Sequence, residues 1–107
     1  MAHIAEVETL PGPRREDLRL EAVLQALGDP IRLTIVRTLG ETPGGQRSCG
    51  SFGLPVAKST ASHHFRVLRE AGVIHQRAVG RERLTELRRD DLDARFPGLL
   101  QSITGTA

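Results

Sequence analysis

Apolar residues recur along this chain at two different spacings. From Glu16 onward, Leu20, Val23, Leu24 and Leu27 fall three or four apart, which lines one face of a helix, and Gly28 follows as the residue helix ends favour. Asp29-Pro30 opens a second helix. The aspartate can accept from the first free N–H groups, and a proline at that point gives up an N–H the helix does not need. Ile31, Ile35, Val36 and Leu39 form its inward stripe, ending at Gly40. Residues 40–55 hold five glycines and two prolines, so only a short helix around Arg47 to Phe52 is expected there. After Pro55, the spacing of Ala61, Phe65 and Leu68 predicts another helix, which Gly72 ends. The period then drops to two: residues 73–77 and 83–87 read as strands around a Val79-Gly80-Arg81-Glu82 turn. Asp90 caps a last stripe of Leu92, Phe96, Leu99, Leu100 and Ile103, which Pro97 kinks or divides into two short helices.

This order of four helices, a hairpin and a last helix is mainly α with a β-hairpin wing, the α+β winged helix-turn-helix plan. Residues 1–14, ending in Pro11-Gly12-Pro13, show no sustained period and read as a flexible N-terminal arm. Residues 15–105 form one domain, since 107 residues can close one modest core.

Composition narrows the function. At 38% hydrophobic and 26% charged the chain is of ordinary globular type. With three Phe and no Trp or Tyr, it lacks the stacking platforms that single-stranded nucleic acid uses. No apolar run approaches a membrane span and residues 1–14 lack the apolar stretch of a signal peptide, so the expected location is the cytoplasm and no membrane partner is expected. The net charge is only +2, but six basic residues face two acidic ones between Val56 and Arg83, so the positive excess is concentrated there. A polyanion would meet this segment. On the helix after Pro55, Lys58, Ser59, Thr60, Ser62, His63 and Arg66 lie opposite the apolar stripe. They are short hydrogen-bonding groups flanked by cations, as a DNA major groove requires. Arg77, Arg81 and Arg83 suit the hairpin for a phosphate backbone or a minor groove; the plainer reading is a solvated hairpin paired with Glu82 and Glu86.

The strings ALGDPIRLTIVRTL (26–39), STASHHFRVLREAGVI (59–74) and GRERLTEL (80–87) resemble the ArsR/SmtB family of bacterial winged-helix regulators. The resemblance implies a transcriptional regulator that binds double-stranded DNA as a homodimer, with first and last helices at the interface and operator binding altered by a small inducer. It maps DNA contacts onto Lys58, Ser59, Thr60, Ser62 and His63, with wing arginines on the backbone. Ala57 departs from it, standing where a capping Ser is common. The dimer has independent support, because so small a domain cannot cover apolar stripes at both chain ends. Leu20, Val23, Leu24, Leu92, Phe96, Leu99, Leu100 and Ile103 are the expected interface. Two-fold symmetry then predicts an inverted-repeat operator with half-sites about one DNA turn apart.

Neither metal pattern of that family is complete. Cys49 has no cysteine partner, and the last helix offers Asp90, Asp91 and Asp93 without a histidine. His3 keeps a metal reading open, because removal of Met1 would leave an amine beside an imidazole, a pair that suits nickel or copper. The bland reading of His3 is a solvated side chain, and of Cys49 an inert thiol. His63 and His64 project about 100° apart on a helix and do not easily chelate one ion; His63 suits DNA contact and His64 packing or a bridge to another helix. No nucleophile and base, or paired acids, are spaced for catalysis, so no enzyme is expected. The alternative is a winged-helix module for protein contacts without DNA binding, but that would place aromatic or aliphatic anchors where the basic hairpin stands.

Overall fold

Asp29 starts the second helix as its spacing predicts. Its carboxylate accepts from the N–H groups of Ile31 and Arg32 at 2.8 and 3.1 Å, with Pro30 in the first helical position. In the computed structural model, which describes residues 7–105, the helices are α1 (Leu20–Leu27), α2 (Pro30–Glu41), α3 (Lys58–Ala71), α4 (Arg89–Arg95) and α5 (Leu99–Thr104). The strands are β1 (Val7–Thr9), β2 (Gln46–Ser48), β3 (Ile74–Val79) and β4 (Glu82–Leu87), forming one antiparallel sheet in the order β1-β3-β4-β2. Five helices and a small sheet in this order make an α+β winged helix-turn-helix. The last stripe is divided at Pro97, as its missing N–H requires.

The inward stripes meet in one core. Val23 and Leu27 of α1, Ile35, Val36 and Leu39 of α2, and Phe65 and Leu68 of α3 are buried with Ile74, Leu92 and Leu100. α1 lies on α3, and α2 lies on α5. α3 ends at Gly72, which takes a left-handed φ of +85° and whose N–H returns to the Arg69 carbonyl at 3.0 Å. A Cβ at Gly72 would run into the side chain of Leu18, so glycine is needed there for space as well as for φ.

Two segments differ from the sequence expectation. The short helix expected around Arg47 to Phe52 is instead strand β2 followed by a single 3-10 turn, Cys49–Ser51. Glycines 50 and 53 and Pro55 cannot propagate a helix, whereas Gln46, Arg47 and Ser48 gain ladder partners in Glu86, Thr85 and Leu84. In the stretch expected to be a flexible arm, Val7, Glu8 and Thr9 pair with Val79, Ala78 and Arg77. Three residues are too few to show a period, and their strand character comes from the free edge of β3. The chain then runs past the C-terminal end of α3 toward α4: Leu10 N–H donates to the Gln76 carbonyl at 3.0 Å, Arg69 donates to the Pro11 carbonyl and Arg88 to the Pro13 carbonyl.

Candidate nucleic-acid interface

The face that carries the candidate residues is assembled from the first half of α3 and the β3–β4 hairpin. Lys58, Ser59, Thr60, Ser62, His63 and Arg66 are all exposed on α3; Ser59, Thr60, His63 and Arg66 point away from buried Phe65 and Leu68, whereas Lys58 and Ser62 flank Phe65. Ala57 occupies the cap position and gives α3 no side-chain hydrogen bond, so the first N–H groups of the helix lack the usual capping oxygen. The hairpin turns in two residues. Val79 pairs with Glu82, and Gly80 takes a φ of +60° while Arg81 does not, which is the type II′ form that matches strand twist.

The ladder decides which way the wing arginines face. Gln76 pairs with Thr85, and Ala78 with Arg83; because side chains alternate, Arg83 shares the inner face with buried Gln76 and Thr85, and Arg77 lies on the opposite face. Lys58, Ser62, Arg81 and Arg83 border one cleft between α3 and the hairpin. The structure therefore brings those four together. Ser59, Thr60, His63 and Arg66 lie along α3 outside the cleft, and half-buried Arg77 lies behind the hairpin.

The helix-turn-helix corner is fixed by polar contacts. Arg32 on α2 donates to the Ala26 carbonyl and reaches Nδ1 of His64 on α3 at 3.0 Å. Guanidinium can only donate, so Nδ1 accepts, and its 3.9 Å approach to Asp29 is not an ion pair. His64 thus ties α3 to α2, while His63 faces outward. The backbone N–H of Arg32, with that of Ile31, holds the Asp29 carboxyl below its ordinary range against a smaller opposing effect of burial.

Under the wing, Gln76 and Thr85 are fully buried, two polar residues that the alternating pattern did not reveal. Gln76 Nε2 donates to Thr85 Oγ1 at 3.1 Å and to Cys49 Sγ at 3.0 Å, and Arg69 Nη1 donates to Gln76 Oε1 at 2.8 Å. Cys49 is half-buried and takes part in this network. Among the described residues, no three His, Cys, Asp or Glu side chains come together as a metal cluster. His3 lies outside the described residues.

Of the expected interface residues, Val23, Leu92 and Leu100 are buried in the chain's own core. Leu20 and Leu24 are 45% and 50% exposed on α1, and Phe96, Leu99 and Ile103 are half-buried around α5. The stripe on each helix is real, but its most central members are already covered within one chain. Among the described residues, no helix is long and apolar enough to cross a membrane.

Nine of the basic residues use their side chains on neighbouring carbonyls, carboxylates or hydroxyls, or on a ring nitrogen or amide oxygen, within hydrogen-bonding reach. Arg66 approaches Glu70 only at 3.9 Å. Among the described residues, Lys58, Arg77, Arg81 and Arg83 have no side-chain hydrogen bond or ion pair, and Arg89 on α4 is alike. Four of these five cations stand on α3 or the hairpin, a distribution suited to an external anion.

Known sequences share the helix-turn-helix part of the chain. A family model described as a helix-turn-helix domain matches residues 27–77, from the end of α1 through α2 and α3 into β3. An uncharacterized HTH-type transcriptional regulator of Bacillus subtilis (strain 168), YceK, is 40% identical over 83 residues, covering 76% of this chain and 82% of that one. With likeness over most of both chains and a cationic helix and wing held open on one face, this protein belongs to the helix-turn-helix transcriptional regulators.

Proposed function

We propose that this chain is a winged helix-turn-helix regulator of the ArsR/SmtB type, acting as a homodimer on an inverted-repeat operator and working by binding rather than by turnover. The observation that carries the reading is the set of unpartnered cations, Lys58, Arg81 and Arg83, gathered beside the exposed polar turns of α3. Phosphates would take these cations, and Ser59, Thr60, Ser62 and His63 would reach base edges in the major groove. Arg66 would contact phosphate further along α3. Arg77 would reach a phosphate only past the outer face of the hairpin. Leu20 and Leu24 form the apolar face of α1 still open to a second copy, and half-buried Phe96, Leu99 and Ile103 on and beside α5 would add to it.

A mobility-shift titration on the DNA upstream of its own gene, run beside sedimentation, tests this. A shifted complex with two chains per duplex is expected. Arg81→Ala should weaken all sequences alike, whereas His63→Ala should also change which sequence is preferred. A protein that stays monomeric and ignores duplex in dilute buffer would overturn the proposal. A module for protein contacts would place apolar anchors on the wing; among the described residues the large exposed hydrophobics are Leu20 and Leu24, away from it on α1, and Val7, a single side chain paired beside the hairpin turn.

A further inference from the structure

The cleft between α3 and the hairpin has room for more than a phosphate group. It is a half-open cleft of about 760 Å³, within the range of small-molecule sites, and its two walls differ in chemistry. Leu54, Val56, Ala61 and Phe65 give it an apolar side, with buried Gln76 beside them. Lys58, Arg81 and Arg83 stand at the same cleft with Glu82 as the one acidic neighbour, leaving a net positive rim. A duplex can engage the rim cations, but a phosphodiester has no apolar body to fill the floor.

We propose that this cleft binds a small amphipathic organic anion, an aromatic or aliphatic carboxylate or sulfonate, whose apolar body lies against Phe65, Leu54 and Ala61 and whose charge is held by Lys58, Arg81 and Arg83. The ligand and the operator would compete, because they use the same cations; this competition rests on the DNA-binding reading, whereas occupancy of the cleft does not. The mechanism needs no movement of distant elements, since occupation alone neutralises the rim and fills the gap between helix and wing.

Cys49 makes the test site-specific, because it lines the same cleft and is the chain's one cysteine. The rate of Cys49 alkylation by iodoacetamide is measured on the full chain without DNA, with and without an anilinonaphthalene sulfonate dye whose fluorescence reports binding. At dye ten times its Kd, alkylation should slow by about tenfold, in proportion to the free fraction of the cleft. Inorganic phosphate at the same concentration, with charge but no apolar body, should leave the rate unchanged. Ala61→Leu fills the floor and should abolish protection while duplex affinity is retained. Lys58→Gln, at an exposed site that does not endanger folding, should weaken the dye by about threefold.

Dye binding without protection of Cys49, equal protection by phosphate, or protection unaltered in both variants would overturn the proposal. If duplex binds and Cys49 stays unprotected, the cleft reading fails and the DNA reading stands. If Cys49 is protected and no duplex binds, the cleft reading stands and the DNA reading fails.

Discussion

The junction of the N-terminal segment with α4 and the cleft between α3 and the hairpin use the same kind of residue for opposite purposes. At the junction, arginines are consumed by the fold. Arg88 donates to the Pro13 carbonyl and at 2.9 Å to Asp91, Arg15 donates to Asp91 at 2.7 Å, and Arg95 donates to the Arg15 carbonyl at 2.7 Å. These bonds join the N-terminal crossing segment to α4, residues some 75 positions apart in the chain. At the cleft between α3 and the hairpin, Lys58, Arg81 and Arg83 have no side-chain partner among the described residues. A cation bonded to a carbonyl contributes to stability, whereas one left in water contributes almost nothing until an anion arrives. Charge counted along the sequence cannot separate the two groups, but their partners can.

The sharpest way to break this contrast is to remove the free group together. Lys58→Ala/Arg81→Ala/Arg83→Ala should lower duplex affinity by two to three orders of magnitude, about 3–4 kcal/mol, in a fluorescence-anisotropy titration. Its denaturation midpoint should not move, and a matching loss of stability would erase the distinction.

The next effect belongs to the junction. Gly72→Ala places a Cβ against Leu18 at a left-handed φ of +85°, so a loss of roughly 2–3 kcal/mol is expected by urea denaturation. Arg88→Ala comes after it. The side chain is 13% exposed, and losing its bonds to Asp91 and Pro13 should cost about 2 kcal/mol. Duplex affinity of the folded fraction should stay unchanged in both variants; a drop would mean that the junction also shapes the DNA face.

The smallest expected effect is acid sensitivity. Burial raises the Asp91 carboxyl, but hydrogen bonds and charge from Arg15 and Arg88 outweigh it and leave the group below its ordinary range, as at Asp29. A carboxyl depressed in the folded state contributes stability that is complete above its unfolded value, about 3.9, and is lost as pH falls through the lower folded value. Denaturant titrations should therefore lose stability below about pH 4. Asp29→Asn should keep the α2 cap and lose part of that pH dependence, while Asp29→Ala should cost about 1 kcal/mol at neutral pH. An unchanged acid limb in Asp29→Asn would remove Asp29 from this account.

What the sequence made legible was whatever one helical turn or one tight turn can state by itself. Asp29-Pro30 announced α2, Phe65 and Leu68 gave the inner face of α3, Gly80 marked the hairpin, and Pro97 divided the last helices. The parts that were hidden depend on distant partners. β1 is a strand because β3 has a free edge, and β2 because β4 does; neither has a period of its own. Gln76 and Thr85 look like surface positions of an alternating strand until Cys49 and Arg69 are found to satisfy them in the interior. The apolar stripe of the last helices reports burial but not by what. Leu92 and Leu100 are covered by the chain's own core. At the candidate site, sequence spacing placed Lys58 to Arg66 on one face of α3, but only the ladder separates Arg83 from Arg77.

If the free cations of α3 and the hairpin meet phosphates, the salt dependence of duplex binding measures it directly. Log affinity against log salt should be less steep by about 0.9 for every cation removed in Arg81→Ala/Arg83→Ala, while Arg14→Ala/Arg15→Ala leaves the slope of the parent protein. Equal slopes for the wing variant and the parent, or the same flattening in both double variants, would contradict it.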